Sequence, residues 1–334
     1  MRPRILVSAG QDLFASFFPS RHRARLSRSF SWTLMESAKL NPEFKRELAS
    51  AEGLITTWDS PNLDRDLPRA APKLRVIAHC GGEVKRKFAS ELFEKITVTN
   101  AADPMARATA ELGAAFLTYC ARDVERYREG LRKRSNRIYS DIHLHGTPEA
   151  LAGTEVAMIG FGRVGRALVD LMRGFDLRWI VYDPFAPRAL MRDYPVVFTE
   201  LRPLLRRARL LVLTAALTDK TRGLLDRKAL AALPDGAVVI NIARGGLIDL
   251  PALTQEVRKR RLRCAIDVTD PTEPLPAHHP LRMMPGAIVT PHIAGAGRDV
   301  RERMAEVVIT DLENFFRGKP VKNRVTKAML QRMT

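Results

Sequence analysis

The sequence has few cysteines, few aromatic residues and no long apolar run. Its 334 residues include three cysteines, Cys80, Cys120 and Cys264, which are widely spaced and form no C-x-x-C pair. We therefore expect reduced, mostly packed thiols and no metal site. No stretch approaches the ~18 consecutive apolar residues of a membrane span, and the first residues lead into a predicted strand instead of a signal peptide. These absences predict a cytoplasmic protein with no membrane partner.

Acidic residues are also scarce relative to basic ones. The chain carries 55 lysines and arginines against 37 aspartates and glutamates, a formal net charge of +18. Such an excess attracts either nucleic acids or small anions. The basic residues are spread along the whole chain and are not interleaved with aromatic residues. This distribution favours a small anionic ligand over a nucleic-acid partner.

The residues that are present predict two α/β domains. A chain of this length holds about two domains of ~100 to 200 residues. Short apolar strands alternate with helical stretches before residue 102 and again between residues 156 and 290. Strand, helix and strand in regular succession is typical of doubly wound parallel sheets, whose ligands bind at the carboxyl ends of the strands. A long helical pattern from Ala106 to about Arg132 separates the two parts.

A glycine-rich motif follows the first strand of the second part. Gly160, Gly162 and Gly165 form G-x-G-x-x-G between an apolar strand and a helical stretch. The first glycine permits a tight turn, the second lets the backbone approach a pyrophosphate, and the third lets helix and strand pack closely. Asp183 ends the next strand, where a carboxylate accepts both ribose hydroxyls and repels a 2′-phosphate. We therefore predict a site that favours NAD over NADP, with Arg188 as the one neighbouring residue that argues for NADP.

Further polar residues end predicted strands downstream. They are Arg244, the acids Asp267 and Glu273, and His292. An arginine offers a planar fork of donors to a carboxylate, and an imidazole that titrates near neutrality can donate and accept a proton. Any one of them alone would as readily be a loop charge, a cap or a turn residue. Together, in this order behind a dinucleotide loop, they suit hydride exchange with a hydroxy acid.

With these motifs the sequence resembles the D-isomer-specific 2-hydroxyacid dehydrogenases, which include phosphoglycerate, glyoxylate/hydroxypyruvate and D-lactate dehydrogenases. The resemblance spans nearly the whole chain and rests on residues 160–165, 217–224, 241–246, 267–274 and 290–295. It implies an NAD-dependent oxidoreductase that interconverts a D-2-hydroxy acid and its 2-keto acid. It also implies a homodimer, with small residues of the long helix at the contact: Ala108, Ala110, Gly113, Ala114 and Ala115.

The resemblance also implies an architecture. We expect an α/β protein of two Rossmann-like domains, with the NAD domain inserted into a flavodoxin-like substrate domain. Residues 1–102 and 296–334 would form the substrate domain, and residues 103–295 the NAD domain. The active site would lie in the cleft between them, where hinge closure excludes water.

Roles for individual residues follow from the same resemblance. Arg244 would bind the substrate carboxylate and carbonyl, His292 would exchange a proton with the carbonyl oxygen, and Glu273 would hydrogen-bond and orient His292. In addition to the motif glycines and Asp183, the residues implied to contact the cofactor are Arg163, Val164, Ala215, Ile242 and Asp267.

Three segments depart from the family pattern. The stretch from Asp267 to Glu273 is one residue longer than the commonest spacing, so either Glu273 or Asp270 could partner His292, and the Pro-Leu-Pro that follows favours Glu273. The usual glycine-rich substrate loop is here Gly81-Gly82-Glu83, whose free N–H groups could still bind a substrate carboxylate. Residues 214–216 are Thr-Ala-Ala where relatives often have His-x-Pro.

Two functions stay open at this point. One is the dehydrogenase, and the other is an NAD(H)-sensing corepressor or scaffold of the same fold, since the family contains such proteins. The intact set of Arg244, Glu273 and His292 favours the enzyme. The remaining loop histidines, His143, His145, His278 and His279, are predicted to be surface residues.

Overall fold

The computed structural model of the chain describes residues 2–36, 41–132, 137, 140 and 150–333. The chain divides into two compact units, Met1–Met105 with Ala296–Thr334, and Ala106–Gly295. It therefore enters the first unit, forms the whole of the second, and returns to complete the first. Within the described ranges no helix is long and apolar enough to cross a membrane. His143 and His145 lie outside the described residues.

Strands and helices alternate along the described parts of the chain. The strands are β1 (Arg4–Ser8), β2 (Ser31–Met35), β3 (Gly53–Thr56), β4 (Val76–His79), β5 (Thr97–Asn100), β6 (Glu155–Ile159), β7 (Arg178–Tyr182), β8 (Val196–Phe198), β9 (Leu210–Leu213), β10 (Val238–Asn241), β11 (Arg263–Ile266), β12 (Ala287–Val289) and β13 (Arg324–Val325). The α-helices are α1 (Gln11–Phe17), α2 (Ser20–Ser29), α3 (Pro42–Ser50), α4 (Leu67–Ala70), α5 (Leu92–Lys95), α6 (Ala102–Ala121), α7 (Val124–Arg132), α8 (Arg163–Leu171), α9 (Leu201–Arg207), α10 (Arg227–Ala231), α11 (Leu250–Arg258) and α12 (Arg298–Phe316).

The first unit is built around a six-stranded sheet of order β13-β5-β4-β3-β1-β2. Its strands are parallel except β13, which pairs antiparallel with β5. The order 2-1-3-4-5 of the parallel strands is that of flavodoxin-like folds. The C-terminal helix α12 packs against α1, α2 and β4, and Arg25 Nη2 of α2 bonds Glu313 Oε2 of α12 at 2.8 Å. The N-terminal and C-terminal segments of the chain therefore form the first unit together.

The second unit is a seven-stranded parallel sheet of order β12-β11-β10-β9-β6-β7-β8. This is the strand order of a Rossmann fold, extended by one strand at one edge. The central strands are buried along their whole length, because helices cover both faces and successive side chains enter two separate hydrophobic cores. The predicted fold, two Rossmann-like α/β units with the second inserted into a flavodoxin-like first, is confirmed.

Helix α6 packs closely on the second sheet. A Cβ atom on Gly113 would lie 2.6 Å from Ile242 Cδ1, and Ala110 is fully buried. The small residues at these positions let the helix approach the sheet. Ala110 and Gly113 are therefore unavailable for the dimer contact that the sequence predicted for them, because they face the core of their own unit.

Candidate functional site

The glycine loop between β6 and α8 leaves no room for side chains at its first and third glycines. Gly160 has φ +93°, and a Cβ there would lie 2.5 Å from the backbone of Ala215. A Cβ on Gly165 would lie 2.8 Å from the Gly160 carbonyl oxygen. The Thr214 hydroxyl donates a 2.5 Å hydrogen bond to that oxygen. Thr214, at a position where the sequence departs from the family pattern, therefore braces the loop.

Gly162, by contrast, faces open space. A Cβ there would meet no atom within 4 Å, and Gly162 is the residue from which α8 begins. The first turn of a helix has backbone N–H groups with no acceptor inside the helix, and its positive end favours an anion. Arg163 is exposed and Val164 is partly buried at the start of this turn. The open glycine and the helix start fit the pyrophosphate of a dinucleotide.

Asp183, directly after β7, is tied to the same loop. Its Oδ2 accepts a hydrogen bond from the Phe161 N–H at 2.7 Å, and its Oδ1 accepts two from the N–H groups of Phe185 and Ala186 at 2.8 and 3.0 Å. A carboxylate has about four lone-pair positions, so one position stays open, on Oδ2. Asp183 therefore fits one ribose hydroxyl in this arrangement, not the two that the sequence predicted, because its own turn supplies competing N–H donors. The guanidinium of Arg188 stacks on the ring of Phe198, 4.7 Å from its centre.

Two residues that the family resemblance assigned to the cofactor have side chains that contact other parts of the protein. Ile242 is 3% exposed and lies under Gly113 of α6. Asp267 is 1% exposed, and its Oδ1 accepts hydrogen bonds from the Thr290 hydroxyl and the Ile293 N–H at 2.5 and 2.9 Å. Its Oδ2 accepts from the Ala294 N–H at 2.9 Å. The Asp267 carboxylate therefore holds the loop after β12.

That loop carries His292, which the structure brings together with Glu273. His292 Nδ1 lies 2.6 Å from Glu273 Oε2, and Glu273 Oε1 accepts a hydrogen bond from the Thr269 N–H at 3.0 Å. The backbone of His292 is left-handed, with φ +58°, and its N–H donates to the Asp267 carbonyl at 2.8 Å. Asp270 instead faces Arg222 at 3.5 Å. Of the two acids that the sequence left open, Glu273 is the one that contacts His292.

Arg244 lies on the loop after β10, next to the loop that leads to Glu273. The Asn241 side chain bridges this turn, donating to the Arg244 carbonyl at 2.9 Å and accepting from the Ala243 N–H at 3.0 Å. A Cβ on Gly245 would overlap the Thr269 carbonyl group. The backbone at Gly245 therefore packs directly on the Thr269 segment. Sequence reasoning missed Asn241 and Thr269, whose only signal was their place within or next to the recognised motifs.

Gly81 and Gly82 follow β4 in the first unit. The Gly81 N–H donates to the His79 carbonyl at 2.9 Å, in a three-residue turn, so it is not the free donor that the sequence predicted. Gly82 keeps an N–H without an acceptor in the described part of the chain, and its carbonyl accepts from Asn100 Nδ2 at 2.8 Å. The turn therefore offers one glycine N–H to a ligand, not two.

The buried imidazole of His79 supports this turn. Its Nδ1 lies 2.9 Å from the Thr56 hydroxyl, and the side chain is completely enclosed. Burial, together with the nearby Lys87 ammonium, lowers the pKa of His79 from 6.5 to about 3. The ring is therefore neutral at physiological pH.

All three cysteines are free and buried. Burial raises the pKa of Cys120 to about 11 and that of Cys264 to about 12. Since the thiolate is the reactive form, none of these thiols presents a nucleophile near neutral pH. No group of histidine, cysteine and acidic side chains suited to a metal ion occurs within the residues that the structure describes.

Comparison with known proteins agrees with this geometry. Residues 114–294 match the D-isomer specific 2-hydroxyacid dehydrogenase, NAD binding domain. The chain is 30% identical over 292 residues to a glyoxylate reductase of Pyrococcus horikoshii, covering 86% of each chain. It is 28% identical over 288 residues to a D-3-phosphoglycerate dehydrogenase of Methanocaldococcus jannaschii, covering 85% of this chain and 53% of that one. A crystal structure of a protein from Thermus thermophilus superposes with a TM-score of 0.75, at 31% identity, over 97% of this chain and 100% of its own.

The matched domain covers more than half of the chain. The chain spans about half the length of the phosphoglycerate dehydrogenase, but most of the glyoxylate reductase. The predictions of an NAD cofactor and of the oxidoreductase class are confirmed. The chain belongs to the D-isomer specific 2-hydroxyacid dehydrogenase family.

Proposed function

We propose that the protein is an NAD-dependent dehydrogenase that interconverts a D-2-hydroxy acid and its 2-keto acid. The observation that carries the proposal is the 2.6 Å contact between His292 Nδ1 and Glu273 Oε2, in the unit that also holds the glycine loop and Arg244. The names of the relatives, glyoxylate reductase and D-3-phosphoglycerate dehydrogenase, support a small anionic acid as the substrate.

The proposed chemistry divides the work among the side chains. NAD(H), when bound, accepts or supplies the hydride. His292 donates a proton from Nε2 to the substrate carbonyl oxygen during reduction and takes it back during oxidation. Glu273 on Nδ1 fixes the orientation of the ring and balances the charge of the imidazolium. Arg244 binds the substrate carboxylate and polarises the carbonyl through its fork of donors.

Separate residues bind the cofactor and the substrate in this proposal. In Ala106–Gly295, the start of α8, with Arg163 and Val164, binds the pyrophosphate, and Asp183 binds one ribose hydroxyl and repels a 2′-phosphate. In the same unit, the Asp267 carboxylate holds the loop that carries His292. In the first unit, the Gly82 N–H binds the substrate carboxylate.

A screen of 2-keto acids with NADH tests the proposal, with NADH absorbance as the readout. We expect at least one acid to be reduced, and Arg244→Ala to lower kcat/KM roughly 100-fold or more, as loss of a charged contact in the transition state does. NADH binding, measured by fluorescence, should stay unchanged. Arg206→Ala, an exposed arginine of α9, serves as the control.

Binding of NADH without turnover of any acid would contradict the enzyme. That result would favour the alternative, an NAD(H)-sensing corepressor or scaffold. Loss of NADH binding in Arg244→Ala would contradict the division of roles between the arginine and the glycine loop.

We also propose that the protein acts in the cytoplasm as a homodimer. Among the described residues α7 buries none of its side chains, and Val124 and Leu131 are 39% and 65% exposed. An amphipathic helix with no fully buried side chain suits a partner surface. The free thiols suit a reducing compartment. Light scattering should give about twice the 37.5 kDa chain mass, and Leu131→Glu should shift it toward one chain; a wild-type monomer would contradict the dimer.

A further inference from the structure

The first unit contains an arginine whose side chain has no ionic or hydrogen-bonding partner among the described residues. This residue, Arg301, lies near the start of α12, and its Nε is buried. Its neighbours on the same helix are paired, Arg298 with Glu302 at 3.7 Å and Arg303 with Asp299 at 3.3 Å. A buried donor without an acceptor is costly, and the rest of the Arg301 side chain is only partly buried. An anion from outside the chain would therefore find a stabilising partner at Arg301.

Trp58 holds the Arg301 guanidinium in place. The guanidinium carbon lies 5.6 Å from the centre of the indole ring. Trp58 is itself fixed, because Phe17 packs edge-on at 5.2 Å and Lys87 Nζ donates to the Trp58 carbonyl at 2.7 Å and to that of Ser60 at 2.9 Å. A cation–π contact holds the guanidinium over the ring and uses none of its N–H groups, so the terminal ones can still donate hydrogen bonds. Arg301 is thus pre-organised for a ligand.

Trp58 also borders the glycine turn. A Cβ on Gly81 would lie 3.0 Å from Trp58 Nε1, so the indole packs directly on the turn that presents the Gly82 N–H. The Asp59 carboxylate accepts hydrogen bonds from the Gly10 N–H at 2.8 Å and the Thr57 hydroxyl at 2.5 Å, and it forms no ion pair with Arg301. Trp58 therefore contacts both the glycine turn and Arg301, whose side chain has no ion-pair partner among the described residues.

We propose that Arg301, positioned by Trp58, selects 2-keto acids that carry a second anionic group, either a carboxylate or a phosphate ester. The inference rests on the proposed function and specifies its substrate class. With the first carboxylate of the substrate on the Gly82 turn, Arg301 supplies a second fork of donors to the other end of the acid. A guanidinium binds carboxylate and phosphate groups bidentately, so both chemistries suit it.

Two matched substrate pairs test the assignment. Oxaloacetate differs from pyruvate by one carboxylate, and 3-phosphohydroxypyruvate differs from hydroxypyruvate by one phosphate. In the preferred pair, we expect Arg301→Met to lower kcat/KM for the member with the second anionic group roughly 10- to 100-fold, the effect of one charged hydrogen-bonded contact. The monoanionic member should change by less than about threefold. The responding pair identifies the anionic group.

Two further variants make the assignment specific. Arg301→Lys should recover part of the loss, since lysine keeps the charge without the bidentate fork. Arg303→Met, on the same helix and exposed, is the matched control and should leave both members of each pair unchanged. An Arg301→Met variant that affects both members equally, or neither, overturns the assignment while the dehydrogenase activity stands.

If no acid is turned over, the proposed function is contradicted. A binding measurement then tests the assignment of Arg301 separately. The protein is titrated with D-malate, with D-lactate, which has one carboxylate fewer, and with 3-phosphoglycerate. Tryptophan fluorescence is the readout. The wild-type protein should respond more strongly to D-malate or to 3-phosphoglycerate than to D-lactate. That response should disappear in Trp58→Phe and weaken at least tenfold in apparent affinity in Arg301→Met. An equal response in Arg301→Met overturns the inference.

Discussion

Asp267 is the residue on which the backbone of His292 depends. Left-handed backbone at a non-glycine residue costs on the order of 1–3 kcal/mol and persists only where neighbouring contacts determine it. Here the carbonyl of Asp267 accepts from the His292 N–H, and its carboxylate accepts from the two residues that follow. The acid therefore acts on the proposed proton transfer through the position of the histidine.

We expect Asp267→Asn to impair both stability and catalysis. One acceptor oxygen becomes an NH₂ donor that faces backbone N–H groups, which should cost about 2–4 kcal/mol of unfolding free energy. Displacement of His292 should lower kcat roughly 10- to 100-fold, whereas the NADH affinity should fall much less. Urea unfolding and steady-state kinetics measure the two effects. Asp270→Asn, an exposed neighbouring acid, is the control; wild-type kcat in a folded Asp267→Asn would refute the positioning role.

His79 makes stability depend on pH. Its pKa in the folded protein lies below its ordinary value, because burial and Lys87 disfavour the charged ring. The unfolded chain takes up this proton below about pH 6.5, while the folded protein resists it down to about pH 3. Its contribution to stability is therefore fully present above pH 6.5 and is lost at about 1.4 kcal/mol per pH unit as the pH falls through that window.

The check is urea unfolding across the acidic range. His79→Asn should show a shallower decline of unfolding free energy with falling pH, by the slope of about one proton. His278→Asn, at an exposed histidine, should decline like the wild type. Equal slopes for His79→Asn and the wild-type protein would mean that the folded state protonates His79 as readily as the unfolded chain does.

At the scale of elements, variants of the loop between β6 and α8 can distinguish an effect on NADH binding from an effect on stability. Gly162→Ala adds a methyl group in open space, so the fold should remain while the methyl blocks the approach of the pyrophosphate. We expect the NADH affinity to fall roughly tenfold or more with the melting temperature within a few degrees of wild type.

The other glycines of the chain provide the comparison. Gly165→Ala pushes a methyl group against the Gly160 carbonyl and Met158, so it should lower stability as well as affinity. Gly174→Ala, where the new methyl group meets no atom within 4 Å, should change neither. NADH affinity in Gly162→Ala equal to that of Gly174→Ala would argue against the glycine loop as the pyrophosphate site.

The strands and loops also show which parts of the site the sequence could predict. The strands that precede Gly160, Arg244 and His292 are apolar runs, so their positions, and the loops at their ends, follow from hydrophobic pattern alone. The partners of Gly81, Asp183 and Asp267 do not follow from it. Each depends on which backbone N–H groups a turn directs at a given acceptor, and that depends on the φ and ψ angles of a few loop residues.

Trp58 and Arg301 show a second limit. They are far apart in the sequence and belong to no motif, and only the packing of α12 on the first sheet brings them together. A periodic pattern within one helix or strand cannot reveal a contact between two elements that the whole second unit separates in the sequence. The charge of Arg301 was visible in the sequence, but its surroundings were not.

At the scale of the whole molecule, the net charge of +18 affects the rate of substrate capture. A positive field speeds the encounter with anionic acids, and salt screens it over a Debye length of about 10 Å at 0.1 M. We expect kcat/KM to fall severalfold between about 0.05 and 0.5 M salt, more steeply for a dianionic acid than for a monoanionic one. kcat should change little, and a kcat/KM independent of salt would show that local contacts alone govern capture.

The return of the chain to its first unit has a consequence for synthesis on the ribosome. All strands of the unit Ala106–Gly295 have left the exit tunnel before the C-terminal segment does, so this unit can complete its sheet first. The earlier-made unit still lacks β13 and α12 at that moment, so the apolar face of β4 and α1 that α12 covers has no cover yet. The unit that is translated first is therefore the one that finishes folding last. Its uncovered apolar face is the surface that a chaperone would bind during synthesis.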